Sequence, residues 1–170
     1  DLGFMVLSDF GDYHFQDALE NKDRESLYKV AINEIVNFQS SLLNSEENLP
    51  TFSPEWQVKE LDIFREWCLP DLPETEYRDI TSVLVNAIDQ IPKAFMHRDF
   101  HCRNILLCQE DKLGVIDFQG AMFGPVTYDL VSLLRDCYVE NDNEWIVKSV
   151  QNFQQNLLSA GLSHAQVEPE

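Results

Sequence analysis

Apolar residues recur every three or four positions along the chain until Pro92, and this period is lost immediately afterwards. The spacing predicts helices over 13–22, 23–43 and 74–91. A further helix is predicted to begin at Ser53-Pro54. Two of these helices have a clear apolar face: Leu27, Val30, Ala31, Ile35, Phe38 and Leu42 in one, and Tyr77, Ile80, Leu84, Ala87 and Ile88 in the other. Proline cannot continue a helix, so Pro92 ends the helical part.

Short apolar runs replace the helical pattern after Pro92. Residues 105–108 and 113–118 are β-like, and the polar residues 109–112 between them predict a turn and therefore a hairpin. Helical spacing returns over 127–139 and 143–160, with Gly161 as a helix C-cap. An opening strand, helices, a hairpin and more helices predict an α+β fold that is mainly helical.

Charge and cysteine content limit the classes of partner. Twelve basic and thirty acidic residues give a net charge of −18, which disfavours nucleic acid and an anionic membrane surface as partners. Residues 80–139, with seven acids and five bases, are nearly balanced. The four cysteines show no CxxC spacing, and no apolar stretch is long enough to span a membrane. We therefore expect a cytoplasmic protein whose main partner is neither nucleic acid nor a membrane surface.

The segment from His97 to Asn104 fits the pattern H-R-D-x-x-x-x-N, which is typical of the catalytic loop of kinase-like phosphotransferases. A hydroxyl that attacks a phosphoryl group needs an acceptor for its proton, and the Asp99 carboxylate can provide one. Magnesium prefers oxygen ligands, which Asn104 and Asp117 can supply between nucleotide phosphates. Because antiparallel strands bring together the ends where Asn104 enters and Asp117 leaves, the hairpin predicts one shared metal site.

The neighbours of this motif have more than one interpretation. His97 and Arg98 are interpreted as bracing the loop, while His101 could either pack in the loop or contact a substrate. Asp9-Phe10-Gly11 repeats the D-F-G letters of kinases, but it precedes the catalytic loop, so Asp117 is the better counterpart of the metal-binding aspartate. The earlier copy is interpreted as part of a hinge beside the nucleotide base.

Together, residues 95–106, 113–121 and 124–138 resemble the aminoglycoside phosphotransferase-like family of the protein-kinase-like fold. The most specific part is Tyr-Asp-Leu-Val-Ser-Leu-Leu-Arg-Asp, at 128–136. Within that family the chain is most similar to bacterial kinases that phosphorylate N-acetylmuramate and N-acetylglucosamine at the anomeric hydroxyl. Residues 4–11 resemble the family's hinge, whereas 23–91 share only a helical pattern.

The resemblance implies a set of roles. It implies that Asp99 is the catalytic base, that Asn104 and Asp117 bind magnesium, and that Asp129 anchors the loop. ATP and Mg²⁺ are the implied cofactors. Arg103, Gln119, Arg135 and Asp136 are the implied acceptor-binding candidates, in addition to His101. An equal alternative for Arg135 and Asp136 is that they are simply neighbours on the surface. Ser8, Asp9 and Phe10 are the implied nucleotide hinge candidates.

The resemblance also predicts the domain organisation. Residues 1–12 would be the end of a hinge strand and the hinge, and 13–170 the helical C-terminal lobe of a larger enzyme. The N-terminal lobe is expected to precede Asp1, and the isolated lobe is expected to be inactive. The predicted activity is phosphorylation of an amino sugar in cell-wall recycling. Two alternatives remain: a kinase for a cationic acceptor such as an aminoglycoside or choline, or a catalytically silent binding domain.

Overall fold

The computed structural model describes residues 7–42, 49–108 and 112–162. This part of the chain contains six α-helices: α1 Phe15–Asn21, α2 Arg24–Ser41, α3 Pro54–Cys68, α4 Glu74–Asp89, α5 Tyr128–Leu134 and α6 Asn143–Ser159. It also contains four short strands: β1 Lys93–Met96, β2 Ile105–Leu107, β3 Leu113–Val115 and β4 Met122–Pro125. The predicted opening strand falls almost entirely on residues 1–6, which lie outside the described residues.

The strands form two antiparallel pairs. In one pair, β1 lies against β4 with Met96 opposite Met122. In the other, β2 lies against β3 with Ile105 opposite Val115. The loop between β1 and β2 is therefore held at both ends by sheet hydrogen bonds, and this loop carries the H-R-D-x-x-x-x-N motif.

Helix α2 is the centre of the hydrophobic core. It begins at the N-cap Asp23, whose side chain accepts a hydrogen bond from the Ser26 amide. Its buried apolar side chains meet those of α1, the β1–β2 loop, β2, α5 and α6, including Phe15, Phe100, Ile105, Leu130 and Phe153. Because Phe100 is fully buried in this core, it anchors the loop that carries it to the core.

The α+β class with mainly helical content is confirmed, as are the positions of the predicted helices and of the β2–β3 hairpin. The predicted buried face of α2 is partly wrong, since Val30 and Leu42 are 39% and 38% exposed. The buried stripe also includes Tyr28, Ile32 and Val36, so it is centred farther round the helix.

One strand was not predicted, and two elements end earlier than predicted. The sequence pattern missed β4, because its Met-Phe-Gly-Pro sequence ends in two residues that disfavour strands. The second hairpin strand ends at Val115, before Asp117 adopts a left-handed φ of 67°. Helix α5 ends at Leu134 instead of residue 139, where the Asp136 side chain accepts the Tyr138 amide in a local turn.

The α3–α4 hairpin is the most exposed part of the fold. Among described side chains, only Gln57 on α3 and Tyr77 and Thr81 on α4 are buried. The predicted apolar face of α4 is therefore wrong at Ile80, Leu84 and Ala87, which are exposed. Exposed apolar residues continue across both helices at Ile63, Phe64, Trp67 and Val83. None of the helices in the described ranges is long and apolar enough to cross a membrane.

Candidate active site

The loop between β1 and β2, which the sequence predicts to be the catalytic loop, is a series of tight backbone turns. The His101 amide donates to the Asp99 carbonyl at 3.1 Å, and the Asn104 amide donates to the His101 carbonyl at 2.9 Å. Asp99 is exposed, whereas the next residue, Phe100, is fully buried. The alternation leaves the Asp99 carboxylate accessible on a backbone that the core holds in place.

Asp129 at the start of α5 anchors the loop just before Asp99. Its two carboxylate oxygens accept hydrogen bonds from the backbone amides of His97, at 2.7 Å, and Arg98, at 3.0 Å. Burial raises the pKa of Asp129 to about 6, and the two amide donors oppose that rise. The carboxylate is therefore mostly ionised above that pH, with one oxygen for each amide.

Arg98 has an unusual backbone conformation for a residue with a side chain. Its φ is 78°, and Asp117 is the other described non-glycine residue with a positive φ. A left-handed conformation costs such a residue about 1–2 kcal/mol, so the surrounding contacts must hold it. The Arg98 guanidinium donates to Glu60 Oε1 at 2.7 Å and to the Gly120 carbonyl at 3.4 Å, and it lies over the Trp56 ring.

The two predicted metal ligands lie at one end of the β2–β3 hairpin. The Ile116 amide, next to Asp117, donates to the Asn104 carbonyl at 3.0 Å. The Asn104 side-chain nitrogen donates to the Asp99 carbonyl at 3.0 Å, so its amide oxygen is the atom available for a cation. Asp117 is exposed, and the Gln119 side chain donates to its carboxylate. The structure thus brings Asp99, Asn104 and Asp117 into one site.

This donor set fits magnesium. No group of three or more His, Cys, Asp or Glu side chains that could enclose a metal occurs in residues 7–42, 49–108 and 112–162. Magnesium does not need such a group, because it is usually held by one or two protein oxygens together with substrate phosphates and water. The Asn104 amide oxygen and the Asp117 carboxylate are ligands of that kind.

Three of the five acceptor-binding candidates gather around Tyr138, which the sequence did not single out for the site. The Arg103 guanidinium stacks on the Tyr138 ring at 3.7 Å, and the His101 ring meets it edge-on at 5.5 Å. Asp136 accepts the backbone amides of Cys102 and Tyr138, each at 2.8 Å. Asp136 therefore braces this cluster, a role that the sequence did not predict.

The other two acceptor candidates lie apart from this cluster. Gln119 contacts Asp117, and Arg135 is exposed after the end of α5. The role of all five residues in acceptor binding stays a prediction.

Of the three hinge candidates, Phe10 contacts the β2–β3 hairpin. Ser8, Asp9 and Phe10 are exposed, and the Asp9 side chain accepts the Gly11 amide at 2.8 Å. The Phe10 ring covers Gly114 so closely that a Cβ there would lie 2.5 Å from it. This segment therefore contacts the element that carries Asn104 and Asp117. Its contact with a nucleotide stays a prediction.

Burial shifts the titration of His97 to lower pH. Its side chain is 1% exposed, and burial lowers its pKa below the usual value of 6.5, although the Asp99 and Asp117 carboxylates oppose that change. The unfolded chain gains a proton near pH 6.5, whereas the folded chain does not until a lower pH, so this group makes folding less favourable as pH falls below 6.5.

An NMR titration of the imidazole signals, with His97 assigned by His97→Gln, measures this pKa directly. We expect a midpoint for His97 below 6.5. A midpoint at or above that value would show that the carboxylates outweigh burial.

Sequence reasoning missed Glu60 and did not single out Tyr128 as a contributor to the site. Glu60 holds the Arg98 side chain, and its other oxygen accepts the Tyr128 hydroxyl at 3.2 Å. Glu60 is one of ten acidic residues between 46 and 79, and nothing local distinguishes it from the others. Only the packing of α3 against the loop identifies it.

An exposed loop carboxylate beside a hairpin that carries an amide and a second carboxylate is the arrangement of kinase-like phosphotransferases. Consistent with this, residues 7–161 match the phosphotransferase enzyme family known as APH. The match covers most of the chain, and the chain therefore belongs to this family of enzymes.

Three curated relatives are named N-acetylmuramate/N-acetylglucosamine kinase. The protein of that name from Neisseria meningitidis serogroup B is 34% identical over 174 residues, which cover 95% of this chain and 51% of the relative. The Pseudomonas putida relative is 27% identical over 98% of this chain and 51% of its own length. The Pseudomonas aeruginosa relative is 32% identical over 81% of this chain and 42% of its own length. The chain thus spans about half the length of the relatives it matches.

Proposed function

We propose that this chain is the catalytic and acceptor-binding lobe of an ATP- and Mg²⁺-dependent kinase for an amino sugar. The acceptor group would be the anomeric hydroxyl of N-acetylmuramate or N-acetylglucosamine, in cell-wall recycling. In this proposal residues 1–12 belong to the hinge, residues 13–170 form the C-terminal lobe, and an N-terminal lobe completes the ATP site.

The observation that carries the proposal is the convergence of three functional groups. Asp99 lies in a loop that ends at Asn104, and Asn104 donates to the Asp99 carbonyl while its own carbonyl accepts the amide beside Asp117. These hydrogen bonds hold the loop that carries Asp99 against the end of the hairpin that carries Asn104 and Asp117, which supports the proposal of a proton acceptor beside two ligands for a cation. Each group alone is common on protein surfaces, but the three in one site are what phosphoryl transfer requires.

The geometry supports a simple division of roles. The Asp99 carboxylate would accept the proton of the attacking hydroxyl, while Asp129 holds the backbone amides just before it. Gly120 lies next to Asp99, since a Cβ added there would be 3.9 Å from the Asp99 carboxylate. The small residue leaves room for an acceptor hydroxyl. Magnesium held by Asn104 and Asp117 would supply positive charge to the phosphates of ATP.

The charge around the loop does not single out a cationic acceptor, since residues 80–139 are nearly balanced, with seven acids and five bases. His101 and Arg103 lie together on Tyr138 beside the catalytic loop. An arginine here could bind the carboxylate of N-acetylmuramate, since guanidinium groups match carboxylate geometry. The acidic excess lies mostly elsewhere, with ten acids and three bases between 46 and 79. The name that the curated relatives share supports an amino sugar as the acceptor.

An acceptor panel with the full-length protein tests the proposal. ATP consumption would be measured with N-acetylmuramate, N-acetylglucosamine, choline and kanamycin at matched concentrations. We expect turnover with the two amino sugars and a product phosphorylated at the anomeric oxygen, identified by ³¹P and ¹³C NMR.

The other outcomes separate the alternatives. Turnover only with choline or kanamycin, with a Michaelis constant that rises steeply with salt, would replace the proposal by a kinase for a cationic acceptor. Nucleotide binding without turnover of any acceptor would favour a silent binding domain.

A further inference from the structure

We propose that Glu60 is a positioning residue that sets the conformation of the catalytic loop by holding the guanidinium of Arg98. The proposal rests on the proposed kinase function and adds a residue from α3 to the residues that build its site. Glu60 would not touch the acceptor or ATP, and it would act through Arg98.

The Glu60 carboxylate uses its two oxygens for two different elements. Oε1 accepts Arg98 Nη2 at 2.7 Å, and Oε2 accepts the Tyr128 hydroxyl at 3.2 Å. The side chains of Arg98 and Glu60 are only 25% and 30% exposed, so water competes weakly for this ion pair. Tyr128 adjoins Asp129, the residue that anchors the backbone of the same loop. Glu60 therefore connects α3 to the loop and to the start of α5.

The group that Glu60 holds is next to the proposed base. Arg98 lies between His97 and Asp99 and has the left-handed φ of 78°. Its guanidinium also donates to the Gly120 carbonyl at 3.4 Å, in the turn that follows Asp117. A displacement of this guanidinium would therefore affect both sides of the site: the loop that aims Asp99 and the turn beside the metal ligands.

The other contacts of Arg98 are too weak to replace Glu60. The bond to Gly120 is long, and the ring of Trp56 is 5.6 Å from the guanidinium. Arg98 Nε is buried without a hydrogen-bond partner within the described part of the chain. A partly buried guanidinium needs a charged acceptor, and hydrogen bonds to charged groups are stronger than those between neutral groups. Without the charge on Glu60, the side chain would move toward water, and the left-handed turn would be held mainly through the Arg98 amide, by Asp129.

The test is Glu60→Gln in the full-length protein, which keeps the size of the side chain and removes its charge. We expect kcat to fall about tenfold, with KM for ATP and for the amino sugar changed less than twofold. Glu66→Gln is the matched control, because Glu66 is an exposed carboxylate of the same helix. The control should leave kcat unchanged, and the two variants should have similar melting temperatures.

A double-mutant cycle distinguishes a role through Arg98 from a general effect on α3. Arg98→Gly removes the guanidinium while glycine tolerates the left-handed backbone. We expect Glu60→Gln to lower kcat in the wild-type background and to have no further effect in the Arg98→Gly background. Additive effects, or a kcat for Glu60→Gln equal to that of Glu66→Gln, would overturn the proposal.

Amide hydrogen exchange keeps this proposal separate from the proposed function. The exchange of loop residues 97–104 would be measured in the same full-length variants. Glu60→Gln should accelerate exchange at the His97 and Arg98 amides by at least threefold, and Glu66→Gln should not. If the wild type phosphorylates none of the acceptors, the proposed function fails, and the exchange result alone decides whether Glu60 positions the loop. Unchanged exchange would overturn the proposal.

Discussion

Replacing Asp99 with asparagine is expected to lower kcat for amino-sugar phosphorylation about a thousandfold, the middle of the range for losing a general base. Asparagine has nearly the same shape, so the loop should remain folded, but its amide cannot accept the proton of the attacking hydroxyl. Because Asp99 is exposed, folding stability should change little. Steady-state kinetics with the full-length protein, at saturating ATP and acceptor, would measure the effect.

The matched control is Asp79→Asn, which removes an exposed carboxylate on α4, away from the catalytic loop. It should retain wild-type kcat. Circular dichroism melting of both variants would show that neither is unfolded at the assay temperature. If Asp99→Asn turned over at the wild-type rate, Asp99 would not be the base and the proposed mechanism would fail.

The largest expected effect on stability comes from Asp129→Ala. The substitution leaves the His97 and Arg98 amides without their acceptor in a site where the Asp129 side chain is 2% exposed. An unsatisfied buried donor costs about 1–3 kcal/mol, so the two together should lower the free energy of unfolding by about 3 kcal/mol. For a chain of this size that corresponds to a melting temperature about 9 °C lower. Urea unfolding at pH 7.5, followed by circular dichroism, would measure the loss.

Asp136→Ala provides the comparison, since Asp136 also accepts two backbone amides, those of Cys102 and Tyr138. Asp136 is only partly buried, so water can replace its oxygens, and we expect a loss of about 1 kcal/mol. Equal losses for the two variants would mean that burial of Asp129 does not determine its contribution.

The sequence was sufficient for the part of the site that is local in the chain. Asp99 and Asn104 are in one loop, and a single hairpin connects Asn104 to Asp117, so spacing and strand pattern already place the three groups together. The helices were predictable for a similar reason, because α2 has a regular apolar stripe and α3 has a proline at its start. Local signals specify local geometry.

Features that depend on tertiary packing were not predictable. Strand β4 forms because β1 lies beside it, although its own Gly-Pro ending disfavours a strand. Glu60 reaches Arg98 across a separation of 38 residues, and one acidic side chain among many on a helix gives no indication of that contact. The apolar residues of α3 and α4 have helical spacing, but spacing alone does not show which apolar faces are buried.

The left-handed backbone at Arg98 affects how such a motif should be recognised in other sequences. A short peptide with the letters H-R-D-x-x-x-x-N would not hold this shape, because Asp129, 31 residues beyond Arg98, fixes its amide. Transplanting the loop into another scaffold would therefore require transferring its distant acceptor as well. The informative signature is the loop motif together with a buried aspartate at the start of a later helix. The four fixed residues of the motif do not identify such a site by themselves.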